Sequence, residues 1–392
     1  MSSPTRATTE RNHVLVPRLQ TLTASAHLAA RNLLQDRLRF GLSVVGVGLS
    51  LMLILFLFGL REGALQSAVI YLENAPGSVE VLPAGTRSTA AGSTQYLPQE
   101  TSQRVAETPG VARVTPVLMT MGFAQLHERK EILKLVGYDA SLGGGPWTLE
   151  RGREPETDSE VVLDRVLANR HGLGPDDTLT IAGHEFLVVG LSNETSSWTG
   201  SYAFARKQAV EQLVLAPGAA SFLLVTPQPG VSDSALVEQL GLIQGTNVLL
   251  KRQVMDNDRQ IVAGIFDQVI LVMVGAAFIV GALVMGMVIY TATTERQAEY
   301  GVIKAIGGRS GFLYQTVGTQ ALLAAGFGAV VGVAFVYAMA WLVTTLKPQF
   351  LVVIEPRAIL LAVGAGFIMA LLGAILPART AARLAPAEVF RR

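Results

Sequence analysis

The sequence predicts an α-helical membrane protein with four transmembrane helices plus an α+β extracytoplasmic domain between the first and second spans. Three observations predict it. Half of the 392 residues are hydrophobic and only 16% are charged, where soluble domains carry about 25%. Charge is absent from residues 40–60, 268–294, 310–346 and 358–378, and each stretch suffices for the ~20 residues that a hydrocarbon core asks of a helix. Between the first two stretches lies a long polar segment in which apolar residues alternate with period two, the signature of half-buried strands.

Charge also sets the orientation. Residues 61–264 hold 16 Lys/Arg against 23 Asp/Glu, while the remainder holds 15 against 7. Six of those basic residues precede the first span, three (Arg296, Lys304, Arg309) separate the second from the third, and four follow the last. Only Lys347 and Arg357 lie between the third and fourth. Basic residues near span ends stay inside. The reading is therefore a multi-pass cell (inner/plasma) membrane protein with both termini cytoplasmic. No cleavable signal peptide is visible, because the first apolar run is longer than a signal core. The chain has no cysteine, which excludes disulfides and thiolate chemistry.

Taken in order, residues 1–25 read as a disordered cytoplasmic N-terminus, and 26–60 as an amphipathic helix followed by the first span. Leu28, Leu33, Leu34 and Leu38 share one side of that helix, with arginines elsewhere, a pattern suited to an anionic membrane surface. Residues 61–264 form the extracytoplasmic stalk and α+β domain. Helical spacing persists through Leu65, Val69 and Leu72 after the first span, and through Val254, Ile261, Ile265 and Val269 before the second. Both spans are thus expected to continue outward as stalk helices. Between them, strands are predicted at 78–82, within 111–126, and at 132–136, 179–181, 186–189 and 222–225, and short helices at 100–107, 163–171, 206–214 and 234–240. Two subdomains are expected, with 86–95 a polar loop. The remainder divides into a second span (265–292), a cytoplasmic connecting helix (293–313), a third span (314–346), a short outer loop (347–357), a fourth span (358–378) and a cytoplasmic tail (379–392).

Catalytic motifs are missing. His127-Glu128 and His184-Glu185 lack the second histidine of a zinc-protease helix, and no G-x-S-x-G elbow occurs. None of the six lysines follows a glycine, so there is no Walker A loop. No Asp, Glu, Lys, Arg or His lies in the centres of the spans, which argues against an ion-coupled carrier. Small residues are frequent instead, as in Gly59-x-x-x-Gly63, Gly328-x-x-x-Gly332, Gly281, Gly286, Gly364 and Gly366. They permit close helix packing and make a candidate dimer face. No catalytic, cofactor-binding or metal site is expected, and nothing points to nucleic acid.

The informative segment is TTERQAEYGVIKAIGGRSGFL, residues 293–313. Val302, Ile303 and Ile306 fall on one helical face, Thr294 and Gln297 have capping-box spacing, and Gly307-Gly308 can end the helix. A short apolar-faced helix in a cytoplasmic connection either lies on the membrane or docks into a partner groove.

This segment resembles the coupling-helix region of MacB/FtsX-type ABC transporter permeases, which include the lipoprotein-releasing permeases. Their R-E-I-G-x-L-x-A-L-G core finds Glu299, Tyr300, Gly301, Ile303, Lys304, Ala305, Ile306 and Gly307 in register. Tyr300 replaces the usual isoleucine, and the E-Y-G-x-x-K-A-I-G form is similar to the DevC-like branch. The tail LPARTAARLAPAEVFRR, the lead-in AARNLLQDRLRF and the outer segments Thr108-Pro109-Gly110-Val111, Glu160-Val161-Val162-Leu163 and GLGPDD (172–177) resemble the same family. The resemblance implies a non-catalytic permease subunit, present as a homodimer, on two copies of a separate ABC ATPase that carries the ATP and Mg. Glu295, Arg296, Glu299, Tyr300, Gly301, Val302, Ile303, Lys304, Ile306 and Gly307 would form its ATPase-coupling helix. Movement of the extracytoplasmic domain would transport or extract a substrate by mechanotransmission, alongside membrane lipids and an extracytoplasmic adaptor or enzyme. The alternative is a non-transporting, FtsX-like regulator of an extracytoplasmic cell-wall enzyme.

Overall fold

The computed structural model describes residues 37–89, 95–126, 129–197, 200–306 and 310–383. Its elements in chain order are α1 (Arg37–Asn74), β1 (Val79–Pro83), α2 (Gln99–Ala106), β2 (Val111–Leu126), β3 (Arg129–Tyr138), β4 (Leu149–Gly152), β5 (Glu160–Asp164), α3 (Arg165–His171), β6 (Thr178–Ile181), β7 (His184–Ser192), β8 (Ser201–Arg206), α4 (Lys207–Val214), β9 (Phe222–Pro227), α5 (Asp233–Leu240), β10 (Thr246–Leu250), α6 (Lys251–Glu295), α7 (Gln297–Ala305), α8 (Ser310–Leu346) and α9 (Pro356–Arg383). The predicted amphipathic helix before residue 37, His127-Glu128 and the tail beyond residue 383 lie outside the described residues.

Two compact units result. One comprises 269–342 with the described parts of 1–59 and 354–392, and the other comprises 60–268 with 343–353. Helices α1 and α6 contribute to both, and α1, α6, α8 and α9 are each long and apolar enough to cross a membrane.

In the span unit, close packing comes from absent side chains. A Cβ on Gly332 of α8 would lie 2.8 Å from the Gly48 carbonyl of α1, and one on Gly328 would lie 2.8 Å from Val47. Helices α6 and α9 meet likewise, since a Cβ on Gly373 would lie 2.7 Å from the Ala282 carbonyl. Lipid tails are as apolar as leucine, so span association draws on contact and not on escape from water, and contact improves as backbones approach. The Gly328-x-x-x-Gly332 pair, a candidate dimer face on sequence grounds, is therefore occupied within one chain.

The α+β unit follows the opposite recipe. Strand order β10-β1-β9-β2 is wholly antiparallel, with α2 between β1 and β2 and α5 between β9 and β10. That is the split β-α-β arrangement of ferredoxin-like sheets, interrupted between β2 and β9 by a long insertion. β2 runs on for 16 residues and joins a ring in which β2, β3, β8, β5, β7 and β6 pair successively and β6 returns to β2. The two expected subdomains are thus two lobes sharing one strand.

Alternation explains how both faces are filled. Leu133, Leu135, Val161, Leu163, Ala203 and Ala205 form one core with Leu167 of α3 and Val210 of α4. Their neighbours Val136, Tyr138, Val162, Tyr202 and Phe204 form another, covered by Tyr71 and Leu72 of α1 and Val254 of α6. Tyr71 stacks on Tyr202 at 5.9 Å between centroids, and its hydroxyl donates to the Gly144 carbonyl at 2.7 Å.

The structure corrects several expectations. Leu163 and Asp164 belong to β5; helix α3 begins at Arg165, with Asp164 accepting from the Leu167 amide as its N-cap. Strands β4, β5, β8 and β10 had no counterpart in the period-two pattern. On α6, Ile261, Ile265 and Val269 are exposed, and the buried stripe runs through Val254, Asp258 and Val262. A carboxylate occupies the middle of that stripe, so hydrophobicity alone places the face one step around the helix.

Candidate functional site

The chain turns from α6 to α7 across a single residue, Arg296. No capping box forms there. Thr294 is still inside α6, where it donates to the Tyr290 carbonyl at 2.9 Å, and the N-cap position falls to Arg296, which makes no side-chain cap bond. Helix α7 ends at Ala305, with the Ile306 amide donating to the Val302 carbonyl at 3.1 Å. Gly307 and Gly308 lie outside the described residues.

Its faces differ sharply. Tyr300 is 1% exposed and shares a core with Leu313, Val317 and Ala321 of α8 and Ala378 and Ala381 of α9. Its side chain is hydrogen-bonded to that of Gln320 on α8, itself buried. Gly301 is buried, and Ile303 packs against the same core. Lys304 extends from this side, and its Nζ donates to the Ala382 carbonyl at 2.6 Å. Opposite lie Val302, Ile306 (81% exposed) and Glu299, whose carboxylate is 3.5 Å from Arg296. Glu295 is exposed at the end of α6. The single apolar face read from the sequence is thus two: Ile303 turns inward and Val302 and Ile306 outward. Residues 299, 302 and 306 recur at the i, i+3, i+7 spacing of one stripe, whereas 300, 303 and 304 form another.

A second cluster, invisible to motif reading, lies in the α+β unit. Asp258 of α6, fully buried, accepts from Ser88 Oγ, from the Thr89 amide at 2.9 Å and from Thr89 Oγ1 at 2.6 Å. Glu80 of β1 is also fully buried, and neither carboxyl oxygen has a hydrogen-bond partner. Burial pushes its pKa well above the usual carboxylate range; nearby Asp258 adds to this, and Lys251 only partly offsets it. Burial likewise lowers Lys134 of β3 to about 8, and its ammonium sits 5.2 Å from the Tyr202 ring centroid. Among the described residues, no three His, Cys, Asp or Glu side chains gather as a metal would require.

Comparison with known proteins follows the same division. Residues 40–242 match the MacB-like periplasmic core domain, and residues 270–386 match the FtsX-like permease C-terminal domain. The chain is 24% identical over 305 residues to an uncharacterised ABC transporter permease of Mycobacterium bovis, across 78% of this chain and 83% of that one. It is 23% identical over 393 residues to the macrolide export ATP-binding/permease protein MacB of Pectobacterium atrosepticum, across 91% of this chain and 58% of that one. Among solved structures, the extracellular domain of the noncanonic ABC-type transporter YknZ from Gram-positive bacteria aligns with a TM-score of 0.36 and 13% identity, across 44% of this chain and all of that one. The periplasmic region of MacB from Actinobacillus actinomycetemcomitans gives 0.36 and 14%, across 47% and 94%.

Proposed function

The chain belongs to the MacB/FtsX family of ABC transporter permeases, and from that premise we propose that α7 docks on a separate ABC ATPase and converts its ATP cycle into movement of the α+β unit. The permease would work as a homodimer on two ATPase copies, with both termini and α7 on the cytoplasmic side and the α+β unit outside. ATP and Mg would be bound by the partner, since the chain has no Walker A lysine. The observation that carries the reading is the outward stripe of α7. Val302 and Ile306 are large, apolar and exposed on a nine-residue helix in a connection whose charge keeps it inside.

The test is an exposed charge. Ile306→Asp alters no packed contact, so the protein should fold and insert normally. Placing a carboxylate in an apolar docking groove should cost about 2–4 kcal/mol of assembly, or ~30- to 1000-fold in affinity. Co-purification with the ATPase subunit measures it, and wild-type affinity in a correctly inserted mutant would refute the docking role. Ile303→Asp is the poorer test, because Ile303 packs on the span core. Orientation is checked independently: a cysteine at Leu242 should label from outside intact cells, and one at Ser310 should not.

A further inference from the structure

We propose that Lys304 and Tyr300 form a latch that ties α7 to the inner ends of α9 and α8, so that displacement of α7 is passed to those two spans. This rests on the docking reading of α7 and adds the route by which force leaves the helix.

Ala382 lies in the last described turn of α9, and its carbonyl receives the Lys304 ammonium at 2.6 Å. The contact is charge-assisted and half-sheltered from water. Such bonds exceed neutral ones in strength by roughly twofold. Four residues earlier, one helical turn along the same face, Tyr300 is buried against α8 and α9 and hydrogen-bonded to the buried Gln320 of α8. Gly301 beside it is buried as well, so α7 approaches the spans closely. Val302 and Ile306 take no part in these contacts. One face would thus hold the ATPase and the other the spans. A helix held on only its outer face could swing without moving the spans. The two inward anchors remove that freedom, each on a different span.

The experiment uses the full chain reconstituted in lipid nanodiscs with its ABC ATPase. Since the chain has no cysteine, a spin label at Arg379→Cys, exposed on α9, reports nucleotide-dependent change in that span. Lys304→Met keeps the length of the stem and removes the charge; Tyr300→Phe keeps the ring and removes the hydroxyl. Both should retain ATPase affinity within about twofold, because neither touches the outward stripe. In Lys304→Met the nucleotide-induced shift of the α9 label should fall about tenfold, as expected for loss of one charge-assisted bond from the coupling. Tyr300→Phe should reduce it in the same direction. Wild-type label response in both variants would overturn the latch. Loss of ATPase binding in Lys304→Met would overturn it too, by making Lys304 a docking residue. Failure of the docking reading shows elsewhere, as undiminished ATPase binding by Ile306→Asp, and would take the latch with it.

Discussion

The span unit and the α+β unit are built by inverse rules. At the α1–α8 and α6–α9 crossings the decisive positions are empty: Gly48, Gly328, Gly332, Gly286 and Gly373 let backbones touch. Around the α+β sheet the decisive positions are full, with Tyr71, Trp147, Tyr202, Phe204 and Phe222 in mutual ring contact. The solvent explains the difference. In water, burying large apolar surface is favourable at about 25 cal/mol per Å², so bulk stabilises. In lipid that gain vanishes between helices, and close approach replaces it. Charge follows the same division, for the α+β unit buries Glu80, Lys134, Asp258 and Asp164, whereas the charge-free stretches of the spans contain none.

This contrast can be broken by trading the two strategies. Truncating the full core should do most harm. Phe204→Ala in the α+β unit is expected to cost about 3–5 kcal/mol, seen as accelerated amide exchange across β3, β5 and β8. Enlarging the empty crossing comes next. Gly332→Leu should destabilise the span unit by about 1–3 kcal/mol through overpacking, lowering its melting temperature in detergent and leaving amide exchange in the α+β sheet unchanged. The reverse pattern for either variant would refute the division.

Polar burial gives smaller and more local effects. Asp258→Ala removes the acceptor of Ser88 and Thr89 and should cost about 1–3 kcal/mol, read as new protease sensitivity between β1 and α2. Glu80→Gln should stabilise, by an amount that depends on pH. Burial raises the Glu80 pKa above its ordinary value of 4.5, so the folded chain holds a proton that the unfolded chain releases. Stability is therefore fully present below that value and falls as pH rises above it. Glutamine has no proton to lose. The variant should melt with the wild type near pH 4 and above it at pH 8; equal melting at both would show that Lys251 already compensates the carboxylate.

Much of this architecture was legible in the sequence, and the gaps have physical causes. Four spans follow from charge-free length alone. Strands β1, β2, β3, β6, β7 and β9 were read from short runs of strand-forming residues, with buried and exposed positions alternating along parts of β2 and β6. β5 (EVVLD) and β8 (SYAFAR) are buried or nearly so along their whole length; with two buried faces there is no alternation to detect. The residues of α7 were found by their pattern, yet the orientation of Ile303 was not, because a short helix that packs on the spans and also shows Val302 and Ile306 outward has two apolar faces. Asp258 and Glu80 were missed for a related reason. A charge in the sequence reads as solvated, and only the fold brings Ser88 and Thr89 to one of them and nothing to the other.

β1 has a history as well as a place. Its partners β9 and β10 begin at Phe222 and Thr246, so during synthesis more than a hundred residues follow it before either neighbour exists. For that interval the segment VEVLP is an unpaired strand of β-prone residues, the kind of element that recruits wrong partners. Its second residue is Glu80. In the unfolded chain that carboxyl is ionised at neutral pH and repels stacking; in the finished sheet burial favours its protonated form. The residue that weakens the folded unit is thus a gatekeeper for the nascent one.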